Sequence, residues 1–177
     1  MISLLKRLFG GAPARKDFTF LMVDHVEDVG ENRWYRLNHW ESPNYLKMNT
    51  SWDKDWKAFD REEPVVGVTY ENRERTFLVM GDQPDFRVFL ERDPNNPKDK
   101  NAIKVMGFAT VRGTPTVSQL GFLSRETAEF LRDERELDAR PYSVFLPYGE
   151  RQYGLRVSVL VRSQAYKKRQ GNVPPKY

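Results

Sequence analysis

The stretch RDPNNPKDKNAIKV, residues 92 to 105, sets Asp93, Asn95, Asn96, Lys98, Asp99 and Asn101 in one short run before apolar residues resume. Carboxylates, amides and an ammonium so close together can hold a polar ligand through directed hydrogen bonds. Asp93 and Asn95 stand at alternate positions, as in a calcium loop, but the glycine and terminal glutamate that such a loop needs are missing. Asn and Pro also stabilise wide hairpin turns with no ligand at all. The run is therefore either a structural turn or a turn built to hold something.

Bond-breaking chemistry finds little support elsewhere. The two histidines, His25 and His39, have no G-x-S-x-G nucleophile motif to serve. Neither a G-x-x-x-x-G-K-[ST] phosphate loop nor a G-x-G-x-x-G run occurs. Glu62 and Glu63 are adjacent acids of a kind common on surfaces. With no cysteine, disulfides, thiolate metal sites and thiol nucleophiles are excluded. The expectation is a non-enzymatic protein without cofactor or metal, whose work is recognition.

The elements that must position those residues come from a chain of 177, long enough for one domain with an extension. Its 39% hydrophobic and 31% charged residues read as soluble and globular. No apolar run approaches a membrane span, and MISLLKRLFGG makes a poor signal peptide, so a cytoplasmic location is expected. Residues 1 to 16 carry four bases and no acid, and residues 162 to 177 carry five bases and no acid. The remaining body has 20 basic against 25 acidic residues, a net of −5. Basic tails on an acidic body suggest either tails that meet a polyanion, nucleic acid or a membrane surface, or solubilising, disordered ends, the reading that charge alone favours.

Composition divides the chain near Pro64. Trp34, Trp40, Trp52 and Trp56 all lie before it. TSWDKDWKAF reads as a short helix, with Ser51 as cap and with Trp52, Trp56 and Phe59 on one packing face. FTFLMVDHV upstream is a candidate strand. After Pro64, VVGVTY (65 to 70), FRVFLE (86 to 91), AIKVMG (102 to 107) and TVSQLGFL (116 to 123) read as strands. SRETAEFLRDERE (124 to 136) is the one clear helix, capped by Ser124. YSVFLPYG then leads to LRVSVLVRS, which alternates as a half-buried strand with a basic outer face. The fold class expected is mainly β, a small closed or nearly closed barrel of about six strands with one main helix. The domains expected are an aromatic-rich α/β extension over 1–63, the barrel over 64–163 and a basic tail over 164–177.

VVGVTY, then RDPNNPKDKNAIKV, then QLGFL leading into SRETA form an ordered set of motifs, and together they resemble the HIRAN domain. The resemblance covers residues 64 to 163 and is specific in its fourteen-residue central motif. It implies a modified OB-like or SH3-like barrel that binds single-stranded DNA with a preference for a free 3′-hydroxyl end, accessory to DNA repair or processing. By resemblance, Tyr70 is the stacking tyrosine, Asn95 and Asn96 are the loop asparagines, and Asp99 accepts from the terminal hydroxyl. Arg125 is the basic residue after the L-G-x-L element, and Tyr148 is the aromatic of a late turn. Three positions depart from the family pattern. Thr69 replaces an arginine, Lys98 a second aromatic and Phe122 a histidine. Lys98 can contact phosphate and Phe122 can stack, but a full two-ring clamp is not expected. A second reading is a protein-interaction adaptor that uses the same barrel, with the Trp-rich extension as docking surface.

Overall fold

Strand ladders, not local helix signals, decide most of this chain. The computed structural model describes residues 20–37, 45–146 and 152–171. A six-stranded sheet has the order β1-β2-β3-β8-β9-β4. Its strands are β1 Phe20–Val23, β2 Arg33–Leu37, β3 Tyr45–Asn49, β4 Trp56–Pro64, β8 Leu137–Phe145 and β9 Gly154–Arg162. A three-stranded sheet takes β5 Arg87–Arg92, β6 Ile103–Val111 and β7 Thr114–Phe122 in sequence order. Among the described residues β1 and β2 alone pair in parallel, and the other neighbouring pairs are antiparallel. Among the described residues there are three α-helices: α1 Arg73–Met80, α2 Arg125–Phe130 and α3 Gln164–Gly171.

The three-stranded sheet follows directly from its residues. In β6, Ile103, Val105 and Ala109 point into the core while Lys104, Met106 and Phe108 alternate on the other face. Arg112 and Gly113, both at positive φ, form the two-residue turn that returns the chain as β7. The inward faces of both sheets meet around Phe77 of α1. Its ring sits edge-on to Trp34 at 6.0 Å and to Phe86 at 5.6 Å, with Tyr153 at 5.3 Å. Trp34 is 3% exposed and donates its indole N–H to the Gly81 carbonyl at 2.9 Å, which satisfies its polar handle.

The mainly β class and most of the strands agree with expectation, and four local readings do not. TSWDKDWKAF is not a helix. Asp53 turns the chain by accepting from the Asp55 amide at 2.8 Å, and from Trp56 onward the backbone pairs with β9. In that strand Phe59 is 45% exposed and Trp56 stacks on the Arg162 guanidinium at 3.9 Å, while Trp52, ahead of the strand, lies beside Arg61. The ladder outweighs a capping signal worth about 1 kcal/mol. VVGVTY forms no strand either, since only Val66 bridges to Phe122 and Gly67 (φ 74) turns the chain away. The helix at Ser124 ends at Phe130, well short of Glu136, while α1 stands where no helix was expected. On β9, Ser158 and Leu160 are buried on the supposed outer face, where Ser158 donates its hydroxyl to the Arg61 carbonyl at 2.9 Å.

The basic C-terminal segment is met by acids of the body. Lys167 of α3 pairs with Glu134 at 2.7 Å, Arg169 pairs with Asp55, and Arg162 pairs with Glu136 at 2.6 Å. Arg162 is also held between the rings of Trp56 and Tyr166. The basic start, residues 1 to 16, and Trp40 lie outside the described residues. Among the described residues no helix is long and apolar enough to cross a membrane.

Candidate nucleic-acid interface

Three segments far apart in sequence converge at one end of β7. The first is brought in by a glycine. A β-carbon at Gly121 would lie 2.5 Å from the Val66 carbonyl oxygen and 2.6 Å from a Val65 methyl, so only glycine lets the two backbones close. Val66 and Phe122 then exchange hydrogen bonds of 2.8 and 2.9 Å. Gly67 reverses direction, and the chain enters a 3-10 turn at Tyr70–Asn72 in which Glu71 and Asn72 both take left-handed backbone angles (φ 55 and 60). Tyr70, at the start of that turn, is 69% exposed.

The second segment is the polar loop between β5 and β6, whose side chains largely fold it onto itself. The Asp93 amide donates to the Ala102 carbonyl at 2.8 Å and closes the base. Asn96 Oδ1 accepts from the amides of Lys98 and Asp99 at 3.0 and 3.2 Å, and its Nδ2 donates to Asp93. Asp99 Oδ1 accepts from the Asn101 amide at 2.9 Å, leaving Oδ2 toward the groove side, 3.8 Å from Arg125 Nε. Asp99 is thereby presented as a fixed carboxylate with one oxygen committed and one facing a cation.

The third segment is the start of α2. Ser124 caps it by accepting from the Thr127 amide at 3.1 Å, as expected. The Ser124 amide in turn donates at 3.1 Å to Glu63, a carboxylate only 4% exposed at the end of β4. This bond ties the helix start to the six-stranded sheet. Arg125 follows, 77% exposed on its side chain, and its Nη2 donates to the Lys98 carbonyl at 3.4 Å.

Between these segments lies a groove of about 480 Å³. Tyr70, Asn96, Lys98, Asp99, Phe122 and Arg125 all line it. Asn95 is exposed and does not, and Tyr148 lies outside the described residues. Thr69 is exposed beside the turn. Sequence reasoning missed the two other charged lining residues, Glu71 and Arg73. Arg73 donates to the Gly67 carbonyl at 3.1 Å and to Glu71 at 2.7 Å, and its guanidinium lies 5.6 Å from the Phe122 ring centre. The run Glu-Asn-Arg-Glu-Arg reads as solvated charge, and only the left-handed turn brings two of its members into the groove.

The family model of the HIRAN domain matches residues 63–159, more than half of the chain. The chain belongs to the HIRAN-domain family. HIRAN domains are nucleic-acid-binding modules rather than catalytic ones, which agrees in class with a groove of ring, cation and acceptor groups. Among solved structures, the crystal structure of the HIRAN domain of human HLTF is similar at 21% identity, covering 71% of this chain and 100% of that one with a TM-score of 0.36. No curated relative matches the chain. The HIRAN match begins at Glu63, the residue that anchors α2, and spans all three groove segments.

Proposed function

We propose that the groove binds single-stranded DNA and receives a free 3′ end, in a protein accessory to DNA repair or processing. The observation that carries this reading is the convergence of a ring, a carboxylate and cations from three separate segments on one groove. A strand end exposes a base face and a hydroxyl that a duplex interior hides. Tyr70, largely exposed, can cap that face for about 1–3 kcal/mol. Phe122 offers a second apolar surface but, unlike a histidine, no hydrogen bond. Oδ2 of Asp99, paired with Arg125 at 3.8 Å, retains lone pairs to accept the terminal hydroxyl's hydrogen bond, while Lys98 and Arg125 hold the adjacent phosphate. A phosphate in place of the hydroxyl meets the Asp99 carboxylate, and like charge rejects it.

The test is a titration of labelled single strands ending in 3′-hydroxyl or 3′-phosphate, with duplex as reference. Tyr70→Ala is expected to weaken binding of every single strand by about 1–3 kcal/mol. Asp99→Ala is expected to shrink discrimination between the two ends more than it lowers affinity. Equal losses for both ends in folded Asp99→Ala protein would remove end recognition and leave general strand binding. Affinity indifferent to salt would favour the protein-adaptor reading, because phosphate contacts must weaken steeply as salt rises.

A further inference from the structure

We propose that Glu71 occupies, in the free protein, the position on Arg73 that a DNA phosphate takes on binding, so that this pair sets the groove's affinity. The proposal rests on the DNA-binding reading above and names a cation and a competitor within that site. Three observations carry it.

Arg73 is held independently of Glu71. Its side chain is only 12% exposed, one nitrogen donates to the Gly67 carbonyl, and the guanidinium lies by the Phe122 ring. The cation therefore keeps its place when its acidic partner leaves. Glu71 is the opposite case, with a side chain 77% exposed, so it returns to water at little cost. Its backbone sits in the left-handed region (φ 55), where a residue with a β-carbon is strained, and strain of this kind collects at binding sites.

The chemistry of exchange is simple. A guanidinium presents a planar fork of donors that matches carboxylate and phosphate alike. Glu71 directly follows Tyr70, so a nucleotide stacked on that ring brings its phosphate beside the Glu71–Arg73 pair. Carboxylate and phosphate cannot share the fork, since both are anions. Binding then exchanges one anion for the other.

The experiment is a double-mutant cycle read by titration with a labelled single strand at low salt, with circular dichroism and melting temperature checking the fold. Glu71→Gln keeps the size and removes the charge, and is expected to tighten binding about three- to fivefold. In an Arg73→Gln background the same change is expected to give no gain, because the fork it frees is gone. A gain of equal size in both backgrounds would overturn the proposal and reduce Glu71 to general repulsion. No gain in the wild-type background would overturn it as well. If Arg73→Gln disturbs the Gly67 turn, Arg73→Met, which keeps an apolar stem without the charge, replaces it, and a full gain in that background would again overturn the proposal. Wild-type protein that binds no strand at all would remove the functional reading and this proposal together, whereas binding without the Glu71 gain removes only the proposal.

Discussion

The two loops that face each other across the groove are built on opposite plans. In the β5–β6 loop, polar side chains turn inward and spend their hydrogen bonds on the loop itself, as Asn96 does with two amides and Asp93. In the Gly67–Arg73 segment the backbone bears the strain, and the side chains of Tyr70 and Glu71 are left exposed. One loop is a rigid jaw that presents a single carboxylate oxygen. The other is a strained arm that presents a ring. A residue type common in binding loops can thus be a builder in one jaw, and an unremarked glutamate can be a working part of the other.

The comparison breaks most completely at the seam joining the arm to β7. Gly121→Ala forces a methyl against the Val66 carbonyl, and is expected to cost about 2–3 kcal/mol in urea denaturation and to abolish strand binding with it. A smaller effect sharpens the builder role. Asn96→Ala removes the acceptor for two amides and is expected to destabilise by about 1–2 kcal/mol. Its neighbour Asn95, exposed and outside the groove, is expected to change stability by less than about 0.5 kcal/mol on the same substitution. Equal losses at the two asparagines would mean that the loop does not depend on Asn96 as described. An equally small stability change belongs to the arm. Tyr70→Ala is expected to leave the melting transition within about 0.5 kcal/mol of wild type, even though it removes a ring. A large loss of stability there would make Tyr70 a packing residue and erase the contrast.

What could be read in the sequence was what period and motif encode. Bounded β-rich runs located β5, β6 and β7, and alternation located β9. The motif order named Tyr70, Asn96, Lys98, Asp99, Phe122 and Arg125, which share one groove, with Asn95, which lies outside it, and Tyr148, outside the described residues. What escaped was set by distant pairing. Asp53 and Asp55 before Trp56 imitate a helix start, yet β9 claims the backbone from Trp56 onward. Helix α1 buries only Phe77 and Met80, too few apolar positions to declare a face. Arg73 could not be read as a groove residue because its placement depends on two successive left-handed residues, of which Asn72 is a common type and Glu71 is not.

The pairing of β4 with β9 has a consequence during synthesis. Arg61 receives its hydrogen bond from Ser158, 97 residues further on, so β4 leaves the ribosome long before its partner exists. At roughly 5–20 residues per second the wait is about 5–20 s. Even in the finished molecule β4 remains at the rim of its sheet. A bare ribbon of that length invites association with other nascent chains, and lysine, acidic residues and proline are the usual deterrents. Lys57, Asp60, Arg61, Glu62, Glu63 and Pro64 supply all of them, which gives the charged composition of β4 a purpose in keeping the half-made chain soluble.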